Sequence, residues 1–351
     1  MRAAGKIEAS MAGELRMNAT NLVGSKLIKD LVTENGVVLI PCNTILTREH
    51  VEFIDRHHIP LDLLELERLP RDMTNESLIF KATEEIREIF HYMRRRGTVP
   101  IEEVQSSIIP TIHQAAEYPT LYSVLSGLQA KDDYTYRHNI GVGVISTLIG
   151  KWLKLSEADL GLLTTAATLH DVGKIRIDDD ILNKPGKYTD EEYSLMKRHA
   201  EFGYEIICNT PGIDHQVALV ALQHHEREDG KGYPYGITEN RITYFSKIVA
   251  VADVFHAMTS KRVYKEASPF YQVMQQMLSD SFGRLHPVIC NVFVQRMMEM
   301  SVGSEVTLTD GRKGRILMVH PGDPVNPSIL AADEYIDLRK NHHLHIDRLT
   351  R

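Results

Sequence analysis

Leu162–Lys174, LLTTAATLHDVGK, is the stretch from which the rest of the chain can be read. It begins as an apolar, Ala- and Thr-rich run of helical character and ends in His170-Asp171, with Lys174 three residues on. A helix that buries one face closes on a His–Asp pair only where something satisfies those polar atoms, because leaving them unpaired away from water is costly. A neutral imidazole beside a carboxylate is a donor set for a divalent cation such as zinc, iron or manganese. An isolated HD dipeptide reads as a C-terminal histidine next to a solvated aspartate, so the remaining sequence has to decide.

Outward from this stretch, residues of metal-ligand type recur on one helical segment after another. His138 lies in YTYRHN, at the start of an apolar helix that continues through Ile140, Val144 and Leu148. His199 is expected on the helix that opens at Thr189, in register with Leu195, Phe202 and Ile206. His224-His225 closes a segment rich in Val217, Leu219, Val220 and Leu222, and Asp253 sits inside IVAVADVF among apolar neighbours. Any one of these histidines reads as a hydrogen-bonded core residue. A carboxylate within an apolar run, however, is costly unless paired or metal-bound. Together, the five histidines and two aspartates are best explained as side chains of facing helices converging on a shared metal site. Seven ligands exceed the needs of one ion and suit two, bridged by Asp171 and a solvent molecule. Two ions at about 3.5–4 Å are the usual apparatus for in-line hydrolysis of phosphate esters, with a bridging hydroxide as nucleophile.

The 351 residues leave room for two or three domains. The net charge of −7 argues against a general binder of DNA or of anionic membranes, though not against a local phosphate pocket. Cys42, Cys208 and Cys290 are odd in number and far apart, which gives no disulfide framework and no CxxC motif. The N-terminal MRAAGKIEASMAGELRM lacks the apolar core of a signal peptide, and the longest uncharged run, residues 139–150, is too short to span a bilayer. A cytoplasmic protein is expected.

The chain divides into five parts. Residues 1–14 form a tail and 15–68 a small β-rich module, read as regulatory. In it Leu27-Ile28 leads through Glu34-Asn35-Gly36 into Val37–Ile40, a hairpin signal, and Thr47 caps a short helix to His57. Residues 69–130 read as a helical linker region, in which Ile79, Thr83, Ile86, Ile89, Phe90 and Met93 form a stripe for core or dimer contacts, ended by Arg94-Arg95-Arg96-Gly97. Residues 131–300 are helical, with capping boxes at Ser156-x-x-Asp159 and Thr189-x-x-Glu192. Residues 301–351 turn to β, with a hairpin from Val306–Leu308 through Asp310-Gly311 to Arg315–Val319. The predicted fold is mainly α: a helical bundle flanked by a small N-terminal α+β module and a small C-terminal β module.

HDVGK, the later His199, HHEREDGKGYP and AVADVFHAMTS, in that order, resemble the HD-GYP family, a branch of the HD phosphohydrolases whose members hydrolyse cyclic di-GMP. The resemblance covers residues 131–300 and implies an HD-type bundle for them. It implies that His138, His170, Asp171 and Asp253 hold one ion and that Asp171, His199, His224 and His225 hold the other, with iron or manganese as the metals. Lys174 matches the family lysine that faces the scissile phosphate. Gly232, Tyr233 and Pro234 form the loop at the mouth of the site, linked in the family to partner proteins such as diguanylate cyclases, and Tyr233 offers a surface for a base. Arg262, with Tyr264, matches a segment that borders the substrate pocket. The implied reaction takes cyclic di-GMP to pGpG and on to GMP.

Departures from the family pattern bear on detail. Some members carry a glutamate four residues before the first histidine that helps to hold a third ion. Tyr134 stands there, and Asp133 is off the matching face, so two ions are expected. His256 and His286 replace acidic residues and are assigned to local packing or pocket polarity. His342, His343 and His345 read as a solvated strand face. Two alternatives remain: an HD phosphohydrolase acting on another cyclic dinucleotide or nucleotide, and a non-catalytic cyclic di-GMP receptor or scaffold. Turnover of a small panel of cyclic dinucleotides, with chromatography of the products, separates all three. A homodimer is compatible with all three.

Overall fold

The structure, a computed structural model, describes residues 22, 25–32, 38–40, 46, 48–57, 59–60, 64–68, 75–117, 121, 124–125, 134–260, 268–332, 334–341 and 343–350. They fall into two compact units, Met1–Thr74 and Asn75–Arg351.

In the first unit, β1 (Ser25–Leu27), β2 (Leu31–Val32), β3 (Val38–Ile40), α1 (Arg48–Arg56) and β4 (Leu66–Arg68) enclose a core of Leu22, Leu27, Leu31, Ile40, Leu46, Val51, Ile54 and Leu64. β1 pairs antiparallel with β4, and β2 with β3. The strand that pairs with Val38–Ile40 is therefore Leu31–Val32 and not Leu27-Ile28. The physical reason is burial: the Leu31↔Ile40 pair sets two buried apolar side chains opposite each other, whereas Ile28 is exposed. The turn residues Asn35 and Gly36 and the cap Thr47 lie outside the described residues.

The second unit opens with α2 (Asn75–Arg96). Its stripe, from Ile79 to Met93, is buried against the chain's own helices. Gly97 ends the helix at φ +74°, in the left-handed region that glycine enters freely. After α3 (Ile101–Glu103), a π-helical segment at Val104–Ile108 leads into α4 (Ile109–Ala115). Pro110, which lacks the N–H a regular ladder needs, gives the cause of that widened turn. The stretch read as a linker thus supplies packed helices to the main core.

The bundle continues with α5 (Tyr134–Trp152), α6 (Glu157–Leu169), α7 (Asp179–Leu182), α8 (Asp190–Lys197), α9 (His199–Cys208), α10 (His215–Gln223), α11 (Tyr244–Thr259), α12 (Phe270–Asp280) and α13 (Pro287–Glu299). Ser156 caps α6, its hydroxyl accepting from the Asp159 N–H, and Thr189 with Glu192 forms a reciprocal capping box on α8. α5 and α6 approach closely at Gly143, where a Cβ would lie 2.9 Å from Thr168 Oγ1. His199 is not on the helix that opens at Thr189. The chain breaks at Arg198, because α8 is a surface helix without buried residues, whereas α9 turns inward on His199, Ala200, Gly203, Ile206 and Ile207.

β5 (Glu305–Leu308), β6 (Lys313–His320), β7 (Asp323–Ala331), β8 (Glu334–Asp337) and β9 (Ile346–Thr350) form an antiparallel sheet in the order β8-β7-β6-β5-β9. Its inner residues Val306, Leu308, Ile316 and Ile329 join the same core as Met297 and Met298 of α13. His343 and His345 precede β9 and so do not alternate within it, and His342 lies outside the described residues. The architecture is mainly α, a helical bundle with small strand sheets toward each end of the sequence. Among the described residues, no helix is long and apolar enough to cross a membrane.

Candidate metal centre

The seven polar residues named from the sequence converge at the centre of the bundle. His170 caps the C-terminus of α6 and Asp171 follows it into a 3-10 turn, Val172–Arg176. His224 caps α10, with His225 next in the chain. His199 opens α9, His138 lies early in α5, and Asp253 lies on α11. The turn and α9 meet through Gly173, where a Cβ would sit 1.9 Å from the His199 carbonyl oxygen. Only glycine permits that approach, and it sets His199 beside Asp171.

The carboxylate of Asp171 divides its oxygens between two groups of imidazoles. Oδ2 lies 3.5 Å from Nε2 of both His138 and His170. Oδ1 lies 3.3 Å from Nε2 of His199 and 3.7 Å from Nε2 of His224. The ligand atoms gather accordingly into His138, His170 and Asp171 on one side, and Asp171, His199, His224 and His225 on the other. Asp253 touches a member of each, with Oδ1 at 3.1 Å from His138 Nε2 and Oδ2 at 3.8 Å from His225 Nδ1.

Burial decides the protonation of the cluster. It lowers His170 and His224, and it pushes His199 down to about 4, against the attraction of Asp171 in each case. Burial thus holds His170, His199 and His224 toward the neutral form, with lone pairs free for a cation. Burial would raise Asp171 and Asp253. For Asp171 it is outweighed by Lys174 and the surrounding histidines, for Asp253 chiefly by His138, and both stay well below the usual carboxylate range. His170 Nε2 and Asp171 Oδ1 are buried without a hydrogen-bond partner among the described residues. Neutral imidazoles around ionised carboxylates, with orphaned atoms pointing inward, fit a divalent metal site. Lys174 is ion-paired with Asp171 Oδ2 and part-exposed.

The glycine-rich loop is fixed by contacts that sequence reasoning overlooked. Gly232 lies so close to the chain that a Cβ would be 2.5 Å from Glu226 Cα and His225 O. Tyr233 N–H donates to His225 O at 3.2 Å, its ring lies 4.5 Å from that of His225, and the bond to Pro234 is cis. The buried carboxylate of Glu226 accepts from the N–H groups of Tyr235 at 2.7 Å and Ile237 at 3.1 Å. Its place directly after His224 and His225 was the available signal. His256, assigned to packing, is buried with Nδ1 at 3.0 Å from His138 Nδ1. The signal here was spacing, because Asp253 and His256 are three apart on one helix and share a face. His286 caps α13, accepting weakly from the Ile289 N–H. Arg262, Tyr264 and Asp133 lie outside the described residues.

A sequence profile of the HD domain matches residues 123–284. The chain is 32% identical over 229 residues to the cyclic di-GMP phosphodiesterase PA4108 of Pseudomonas aeruginosa, covering 65% of this chain and 53% of that protein. It is 36% identical over 234 residues to the cyclic di-GMP phosphodiesterase of Thermotoga maritima, covering 64% of each. Among solved structures, Bd1817, an HDG"Y"P protein from Bdellovibrio bacteriovorus, shares the fold with a TM-score of 0.53 at 14% identity, over 79% of this chain and 97% of that one. The bundle and its central cluster therefore define an HD-domain protein. Within that class, the chain is similar to the cyclic di-GMP phosphodiesterases named above and shares its fold with the HDG"Y"P protein. It spans less than two thirds of the length of these curated relatives, 53% and 64%.

Proposed function

We propose that the chain is a metal-dependent phosphodiesterase that hydrolyses cyclic di-GMP to linear pGpG and then to GMP. The observation that carries this reading is the divided carboxylate of Asp171, one oxygen toward each group of imidazoles. His138, His170, Asp171 and Asp253 would hold one ion, and Asp171, His199, His224 and His225 the other. Mixed imidazole and carboxylate donors suit first-row metals, of which iron or manganese is our assignment. Such a pair supplies Lewis acidity, lowering the pKa of water and neutralising phosphate charge.

The chain's own groups do the rest. Lys174 leaves its pairing with Asp171 to place its ammonium on a non-bridging phosphate oxygen. Tyr233, whose ring packs at 4.5 Å from that of His225 and is tilted 32° to it, walls the mouth of the site and offers a face to a guanine. The family resemblance assigns Arg262 a second substrate contact. The bundle of residues 131–300 is the catalytic part, and residues 15–68 are regulatory. Diguanylate cyclase-type proteins would dock at the loop that carries Tyr233, in a cytoplasmic protein that pairs as a homodimer.

The test is incubation of the metal-reconstituted chain with cyclic di-GMP, 3′3′-cyclic GMP-AMP and cyclic di-AMP, with chromatography of the products. Conversion of cyclic di-GMP to pGpG is expected. Preference for another dinucleotide replaces the substrate, and tight binding without turnover makes the protein a receptor.

A further inference from the structure

The imidazoles that turn Nε2 toward Asp171 have their Nδ1 atoms occupied in two different ways. His170, His199 and His224 direct Nδ1 at the backbone oxygens of Ala167, Met196 and Ala221, at 2.7, 2.7 and 2.9 Å. These three stand at or just beyond helix ends: His170 caps α6, His224 caps α10 and His199 follows α8. The last carbonyls of a helix have no amide partner within it, so a terminal histidine donates to one without competing with the ladder. Nδ1 then keeps the proton, and the Nε2 lone pair faces the centre.

His138 is placed differently. It lies in the opening turns of α5, and the carbonyl three residues before it, that of Thr135, accepts from the Asn139 side chain at 3.0 Å. Its Nδ1 faces Nδ1 of His256 on α11 instead, at 3.0 Å, with the rings inclined by 74°. Ser260 Oγ, one turn further along, stands 3.1 Å from the same His256 nitrogen. Two ring nitrogens at hydrogen-bond distance share one proton. If His256 supplied it, His138 would carry its own proton on Nε2, where Asp253 and Asp171 lie 3.1 and 3.5 Å away, and would have no lone pair for a cation.

We infer that His256 is the positioning residue for His138: its Nδ1 accepts the His138 Nδ1 proton and thereby presents the His138 Nε2 lone pair to the ion held with His170 and Asp171. This rests on the two-ion reading of the site. α11 then serves one ligand ring from two sides, with Asp253 beside Nε2 and His256 behind Nδ1. Where the other three acceptors belong to the backbone, this one is a side chain, and a single substitution removes it.

The test is titration of the metal-stripped full chain with Mn2+, with free ion followed by electron paramagnetic resonance, for the native chain, His256→Phe and His256→Asn. Asparagine places Oδ1 where histidine has Nδ1 and keeps an acceptor, while phenylalanine keeps a ring and loses it. The native chain and His256→Asn should bind both equivalents alike. His256→Phe should bind one equivalent as before and the other roughly 10- to 100-fold more weakly. If thermal melting shows that the phenylalanine variant is unfolded, His256→Gln replaces it, since its polar atoms lie beyond the Nδ1 position, and the same selective loss is expected. A Phe or Gln variant that titrates like the native chain overturns the inference, as does an Asn variant as weak as Phe. A native chain that takes up no Mn2+ overturns this inference and the metal reading together. A chain that shows the selective loss yet cleaves no cyclic dinucleotide overturns only the substrate reading and upholds the role of His256.

Discussion

Nε2 of His199 stands 3.3 Å from Nε2 of His224, and both rings commit Nδ1 to a backbone oxygen. Two lone pairs therefore face each other in a buried space, which is repulsive until a cation lies between them. Protonation does not relieve it at neutral pH, since burial holds His199 down to about 4. Divalent metal should stabilise the fold, by about 2.7 kcal/mol for each site at a hundredfold excess over its Kd. Thermal melts with Mn2+ and with EDTA check this, and a melting temperature indifferent to both would count against the metal centre.

Asp171 and Lys174 should separate metal binding from chemistry. Asp171→Asn removes the carboxylate charge that lies between both imidazole groups, so metal content and turnover should fall together. Lys174→Met leaves the imidazole and carboxylate donors intact. It should retain the native metal content while kcat falls by about 10²–10³. Elemental analysis beside product assays gives both readouts. A Lys174→Met enzyme with native kcat would remove the lysine from the mechanism.

Glu226 answers two loop amides with one buried carboxylate. Glu226→Ala leaves the N–H groups of Tyr235 and Ile237 without their acceptor, at a cost of about 1–3 kcal/mol. Urea unfolding should show that loss, and KM should rise more than kcat falls, because the loop borders the site. An unchanged KM would mean that the loop holds its place by other contacts.

The metal-free protein should lose stability on mild acidification. Unfolded, His199 takes up a proton near pH 6.5, whereas folded it does so only near 4. Between those values the unfolded chain binds more protons, so stability rises with pH and falls as pH drops through that window. His199 alone accounts for up to about 3 kcal/mol across it, and His170 and His224 act in the same direction. Urea midpoints at pH 7 and pH 5 measure the slope. Equal midpoints would mean that the cluster is hydrated and freely titrating.

Much of this arrangement was legible in the chain itself, because helix periodicity and polar intrusions are local signals. A carboxylate such as Asp253 within an apolar run announces a buried demand whatever the topology. What was not legible depends on contacts between distant segments. The break at Arg198 answers the inward packing of α9 on Gly173, 25 residues earlier by number, and no periodicity records that. Strand partnership failed in the same way: Leu27 pairs with Leu66, outside the span of any hairpin rule. His256 reads as packing or pocket polarity because its partner, His138, lies 118 residues away in the chain. Only the fold brings the two rings face to face.

The antiparallel sheet at the C-terminal side has a practical corollary. Val306 and Ile329 are as deeply sealed as Met298 on the helix beneath them. Cutting the chain near residue 300 to isolate the histidine cage would peel back the roof of its own oily interior. Preparations trimmed in that manner should clump or melt early, and any lost turnover in them would report a collapsed scaffold rather than a missing catalytic group.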